Sequence, residues 1–296
     1  MQQKSSLVGY GTALGSAALV GLFTVLNKWI LSEAVPAFTA GSWTYLAAGV
    51  ALAPWALRAG GLRFKRPWVA VLWLFAGSVM GPALYFLGLS LTSGIQGVLM
   101  INLEAVFTAI LAFAIFHERL TSLGWLASVT VLAGATWLSL PAHGGTVWAG
   151  TSLGNLLIGL GYLAWATENN LGRLLTEEVP TVTLVCVKAL IAGVVMAALA
   201  AAFGQSLSIP WHVVPGIVAS GAFSLGLSLA LFYVAMRHIG AGRTGLISST
   251  SALWGVIGSI ALLGESLTLR VVTGGLLVLA GLSGFVRESM LIPERD

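Results

Sequence analysis

Charge is scarce in this chain. Of its 296 residues only 8% are charged, against roughly a quarter in a soluble globular protein. A surface so poor in charge is not kept in water, and a mean hydropathy of +0.95 places the chain in a bilayer. Cysteine is scarcer still: Cys186 stands alone, which excludes an internal disulfide framework and any multi-cysteine metal site. The four histidines, His117, His143, His212 and His238, are scattered. There is no HExxH, no paired-aspartate motif and no nucleophile–base spacing, so nothing points to an enzyme. No GxxxxGK[ST] loop is present to cradle ATP. Strand-like alternation is missing, which excludes a barrel. No loop is long enough for a soluble domain, and no cleavable leader is expected, because the first apolar run leads straight into others. No metal, no cofactor and no nucleic-acid partner are expected.

Long apolar runs make up most of what is present. Ten spans are read, roughly 7–27, 37–57, 68–90, 95–116, 122–140, 150–170, 181–203, 211–235, 244–263 and 270–286, each near the ~20 residues a helix needs to cross ~30 Å of hydrocarbon. Basic residues set the orientation. With the N-terminus in the cytoplasm, eleven of the fourteen Lys and Arg fall in inner segments, Lys28 and Arg270 in outer ones, and Lys188 inside a span. The positive-inside rule then predicts a multi-pass inner-membrane protein with both termini cytoplasmic, anchored by RAGGLRFKRP at 58–67.

The sequence also repeats. Shifted by 147 residues, HERLT (117–121) falls on GESLT (264–268) and VLAG (131–134) on VLAG (278–281); at a shift of 144, EAVP (33–36) falls on EEVP (177–180). Two halves of five spans follow, 1–143 and 144–296. Five is odd, so the second half enters from the opposite side. The expected fold is an all-α membrane protein of ten transmembrane helices in two inverted five-helix repeats, an architecture common in secondary transporters.

These halves, each closing with an ExLT turn and a VLAG-like helix, resemble the drug/metabolite transporter superfamily in its EamA group. NLEAVFTAILAFAIFHERLT (102–121) resembles that group's fourth helix. The resemblance covers nearly the whole chain. It implies a ten-helix carrier of small metabolites, often an exporter of amino acids or similar compounds. The family often has proline where this chain has Glu104, so no site knowledge is carried over to that position.

Glu104 is the residue that the apolar pattern does not explain, since a carboxylate in hydrocarbon needs water, a proton or a partner. As one continuous helix, the fourth span puts Gly97, Ile101, Glu104 and Thr108 on one face. Their partners 147 residues on are Thr244, Ser248, Ser251 and Gly255, a small and polar face that reads either as a hydrated substrate cavity or as close helix packing. Tyr85 and its counterpart Phe232 are aromatic candidates for that cavity, and Trp165 joins them from the WATENN segment (165–170). Lys188 either snorkels to the inner surface or pairs with a carboxylate, Glu104 or Glu168. Glu118 and Glu265 occupy equivalent span ends and read as structural or gating residues satisfying the next helix starts, which Thr121 and Thr268 cap. Pro82 marks a kink or hinge in the third span. The expected partners are a small-molecule substrate and the lipid bilayer, with the proton as candidate coupling ion. The expected function is secondary transport by alternating access; the alternative is an uncoupled facilitator or channel-like permease.

Overall fold

Each apolar run folds as a helix. The computed structural model describes residues 2–116, 121–139, 146–176 and 178–291. Ten helices cover the runs: α1 (Gln2–Ser32), α2 (Ala37–Ala59), α3 (67–91), α4 (94–116), α5 (Ser122–Ser139), α6 (Thr146–Thr176), α7 (Thr181–Ala202), α8 (211–239), α9 (241–263) and α10 (Leu269–Leu291). No strand occurs among the described residues. Helices 7–32, 67–91, 94–115, 181–202 and 211–239 are long and apolar enough to cross a membrane. Val50, Trp68, Leu126, Val194 and Leu276 point outward, as a hydrocarbon solvent permits and water does not. The expected boundary between halves at 143/144, and Glu118, lie outside the described residues.

Local signals set the helix starts. Pro36 and Pro180, the ends of the EAVP and EEVP motifs, are the extended residues that precede α2 and α7. Pro67 opens α3 at its first position, where the missing N–H is no loss. Thr121 and Thr268 accept from Gly124 N and Val271 N, both at 3.2 Å, and so cap α5 and α10.

Chain connections alternate between two faces of the bundle. One face gathers the basic segment 58–66 and residues 178–183: Lys65 N donates to Glu178 Oε2 at 2.7 Å, and Thr183 Oγ1 reaches Gly60 O. The other gathers residues 33–39, 92–95, 205–212 and 265, tied by Glu33–His212, Thr39–Ser206 and Glu265–Gly94 contacts. We call these the basic and the opposite face.

Equivalent helices of the two halves pack on each other. In the α2–α7 pair, Ser42 Oγ donates to Gly193 O and Cys186 Sγ to Gly49 O, while Thr183 reaches Ala56 O; residue numbers rise in one helix as they fall in the other, so the pair is antiparallel. The contacts are reciprocal. Gly49 leaves space that Leu190 fills, and Gly193 leaves space that Leu46 fills, with 2.6 Å from a hypothetical Cβ to the leucine in each case. Those residues are related by the same shift of 144. The α5–α10 pair repeats the device at a shift of 147: Gly134 receives Val278 and Gly281 receives Val131. The two VLAG motifs are therefore the two sides of one crossing, where glycine lets the backbones approach. The remaining packing has the same symmetry: α1 lies against α8 and α9, and α6 against α3 and α4.

Four helices are irregular, two in each half. Phe75–Met80 in α3 and Ala219–Leu227 in α8 are π-helical. The first ends at Gly81–Pro82, so the hinge signal at Pro82 coincides with a widened turn; Pro82 has no N–H for the preceding turn. The second half has no proline at the equivalent position. Turns at 100–101 and 249–250 interrupt α4 and α9. The reading of the fourth span as one continuous helical face is thereby corrected, because the break changes the phase. Gly97 faces Leu89 and Thr24, away from Glu104.

Candidate functional site

A cavity of about 550 Å³ lies between the halves, lined from α1, α2, α4, α6, α7, α8 and α9. Lining positions 162–169 of α6, 185–189 of α7 and 224–232 of α8 sit in the halves of those helices nearer the basic face, while Phe23, Tyr45, Ile101 and Glu104 lie near the middle of theirs. On the opposite side the interior is closed by a fully buried polar layer. Asn27 Nδ2 donates to Ser220 Oγ at 2.7 Å, and Thr44 Oγ1 donates to Asn27 Oδ1 at 2.9 Å. Beyond it, Lys28 Nζ donates to Leu89 O at 3.0 Å.

Glu104, Glu168, Asn169 and Lys188 supply the polar chemistry. The break in α4 places Glu104 in the first turn of the segment Asn102–Phe116, where the helix dipole favours a carboxylate. Its Oε1 accepts from Asn169 Nδ2 at 2.7 Å. Lys188 Nζ lies 2.7 Å from Glu168 Oε2, with both side chains largely buried. Lysine thus takes the nearer-to-surface carboxylate of the two considered from sequence. Gly77 makes the pair possible: a Cβ there would stand 2.6 Å from Glu168 Cγ. One turn on, Gly81 leaves room for the indole of Trp165, whose Nε1 donates to Gly77 O in the π segment at 3.4 Å.

Of the residues singled out from sequence, Glu104, Trp165, Lys188, Phe232 and Ser248 line the cavity. Tyr85 does not. It is fully buried behind the wall, its hydroxyl donating to Thr24 Oγ1 at 2.9 Å and its ring 5.2 Å from that of Trp165. Thr108 lies one turn past Glu104 and gives its carbonyl to Asn170 Nδ2. Thr244 bonds back to Gly240 O at 2.7 Å. Ser251 belongs with Gly255 and Gly258 to the surface that packs on α1, where Gly21 and Val25 meet them. For that stripe, close packing describes the structure. Glu265 also differs from expectation: its two oxygens accept from Gly94 N at 2.6 Å and Ile95 N at 2.8 Å. It satisfies the start of α4 across the halves, while Thr268 alone caps α10.

Ser16, Phe23, Tyr45, Tyr162, Ser224 and Ser228 also line the cavity. Ser224 and Ser228 stand 147 residues after Gly77 and Gly81, and none of the six carries a signal of its own in an apolar helix. No group of three or more His, Cys, Asp or Glu able to hold a metal occurs among the described residues.

A multi-helix membrane protein with a charged cavity between two packed halves belongs to the class of membrane transporters. The chain is a member of the EamA-like transporter family, which matches it twice, over residues 7–140 and 152–287. It is a transporter and not an enzyme. An uncharacterized transporter of Methanothermobacter thermautotrophicus is 27% identical to it, over 93% of this chain and 85% of the relative. The uncharacterized transporter YyaM of Bacillus subtilis is 27% identical over 69% of each chain. A crystal structure with a TM-score of 0.66 and 18% identity, covering 99% of both chains, shares the fold.

Proposed function

We propose that the chain is a secondary carrier that moves a small organic metabolite by alternating access between two inverted five-helix repeats. The observation that carries this reading is the cavity between the halves, with a carboxyl group at its wall that makes no salt bridge and a hydrogen-bonded polar layer on its opposite side. The antiparallel, reciprocal α2–α7 and α5–α10 crossings support the inverted relation, as the odd number of spans per half does. The basic face is the cytoplasmic one by the positive-inside rule, so the cavity is on the inward side, with both termini cytoplasmic in the inner membrane. The Asn27–Thr44–Ser220 layer interrupts any continuous pore, which favours a carrier over a channel-like facilitator.

Substrates are small organic metabolites of the kind the family resemblance implies, amino acids or similar compounds, and the direction is export. Glu104 exchanges a proton for substrate. Its charged and titratable neighbours around the cavity are Glu168, Lys188, Tyr45 and Tyr162; Lys188 is engaged by Glu168, which leaves Glu104 to take a proton or a cationic group. Glu104→Gln keeps shape and hydrogen bonding and cannot ionise. In proteoliposomes, wild-type counterflow of labelled amino acids or amino alcohols responds to an imposed pH gradient, and Glu104→Gln loses transport or its pH dependence. Transport by Glu104→Gln equal to wild type at every pH tested rejects the role of this carboxylate.

A further inference from the structure

The charge inventory of the cavity narrows what it can hold. Among its described lining residues the acidic and basic side chains are Glu104, Glu168 and Lys188. The lysine pairs with Glu168 at 2.7 Å, so the site holds one carboxyl group more than it holds cations, at Glu104. A free carboxylate on a ligand would enter with no available counter-charge and would face that excess, at a depth where unpaired ions are costly.

Two hydroxyls complete the pattern. Ser224 Oγ and Ser248 Oγ are buried with no hydrogen-bond partner, and Ser224 is 1% exposed; both residues line the cavity. Their neighbours behave differently. Ser228 Oγ donates to Ser224 O, and Ser16 Oγ donates to Ser228 O. A helical serine ordinarily finds the carbonyl of the preceding turn, and buried hydroxyls are rarely left unmade. Ser224 lies within the π segment of α8, and Ser248 is the last residue before the break in α9. Irregular backbone at membrane depth is tolerated where it lines a cavity, and at both points it leaves a hydroxyl without a partner in the cavity wall.

We propose that the cavity selects a small organic monocation, its ammonium held by Glu104 and Asn169 and a neutral hydrogen-bond-accepting oxygen held by the hydroxyls of Ser224 and Ser248. This rests on the reading of the cavity as the transport site, and it separates amines bearing neutral oxygens from zwitterionic amino acids. Phe23, Trp165 and Phe232 line the same space and supply the apolar wall for the body of the ligand, with aromatic faces suited to a cation.

Three probes that share a phenylethylammonium body test it: phenylalaninol, phenylalanine and 2-phenylethylamine, titrated calorimetrically into the purified full-length protein at neutral pH. Phenylalaninol is expected to bind about tenfold more tightly than phenylalanine, which carries the carboxylate. It is also expected to bind about fivefold more tightly than phenylethylamine, which lacks the hydroxymethyl group that carries the oxygen. Ser224→Ala/Ser248→Ala removes the advantage over phenylethylamine and leaves phenylethylamine binding as it was, an internal control that the variant is folded. Glu104→Gln abolishes the advantage over phenylalanine. The inference is overturned if phenylalanine binds as tightly as phenylalaninol, if the double serine variant keeps the preference for the oxygen, or if none of the three binds. Binding without counterflow in proteoliposomes would instead strike the carrier reading and leave the selectivity intact.

Discussion

Gly77 shows how a single absent side chain supports the site. A methyl group there would meet Glu168 Cγ at 2.6 Å and Cδ at 2.7 Å, closer than real carbon contacts allow, so the carboxylate would have to leave Lys188. Gly77→Ala should therefore lower thermal stability in detergent about as much as loss of the ion pair. The pair itself can be weighed. Lys188→Met leaves Glu168 buried and uncompensated, at a cost of about 3–5 kcal/mol. Adding Glu168→Gln to it should recover most of that loss, because the remaining amide and thioether carry no charge. A double-mutant cycle in melting temperature measures this, and simple additivity of the two single losses would contradict it. From sequence, Glu168 and Glu104 were both reachable by Lys188, since depth along a helix says nothing about which neighbour it faces.

At the scale of elements, the two crossings are the most demanding contacts. Gly49 and Gly193 occupy equivalent places in one reciprocal contact, so Gly49→Ala and Gly193→Ala should destabilise by similar amounts, about 1–3 kcal/mol each, by overpacking. Unequal losses in unfolding assays would show that the contact is not symmetric in energy. Glu265 makes a different link, receiving the first two N–H groups of α4 from the far half of the chain. Glu265→Gln offers one acceptor oxygen in place of two and removes the charge, and should cost about 1–2 kcal/mol. If this link also seals the opposite face, cysteine at Ser220 in that variant becomes more reactive to a polar thiol reagent. The helices themselves were legible as apolar runs between proline and glycine breaks. Their internal breaks were not: the turns at 100–101 and 249–250 fall within uninterrupted apolar or small sequence, and a period fitted across them assigned Gly97 to a face it does not occupy.

For the whole molecule, the topology makes a prediction independent of transport. In a Cys186→Ser background, cysteines at Ser208 and Leu267 should label from outside the cell, and those at Gly61 and Thr176 only after permeabilisation. These positions lie in connections on the opposite and basic faces respectively. The reverse pattern would turn the protein over and put the cavity on the outer side. Composition and pattern by themselves determined the bilayer, the ten helices, the duplication and the presence of a carboxyl group at membrane depth, because each is set by residues close together in the chain or by a repeat of the chain on itself. The tertiary structure decided which of those residues share a space. It gave Lys188 to Glu168, withdrew Tyr85 behind the wall, spent Ser251 and the glycines of α9 on packing against α1, and turned Ser224 and Ser248 inward. In a bundle whose helices are apolar on every side, no amphipathic stripe marks the inward face. That face is chosen by which helices meet, and the glycines that permit the meetings act through partners far away in the chain, from Trp165 beside Gly81 to Leu190 beside Gly49.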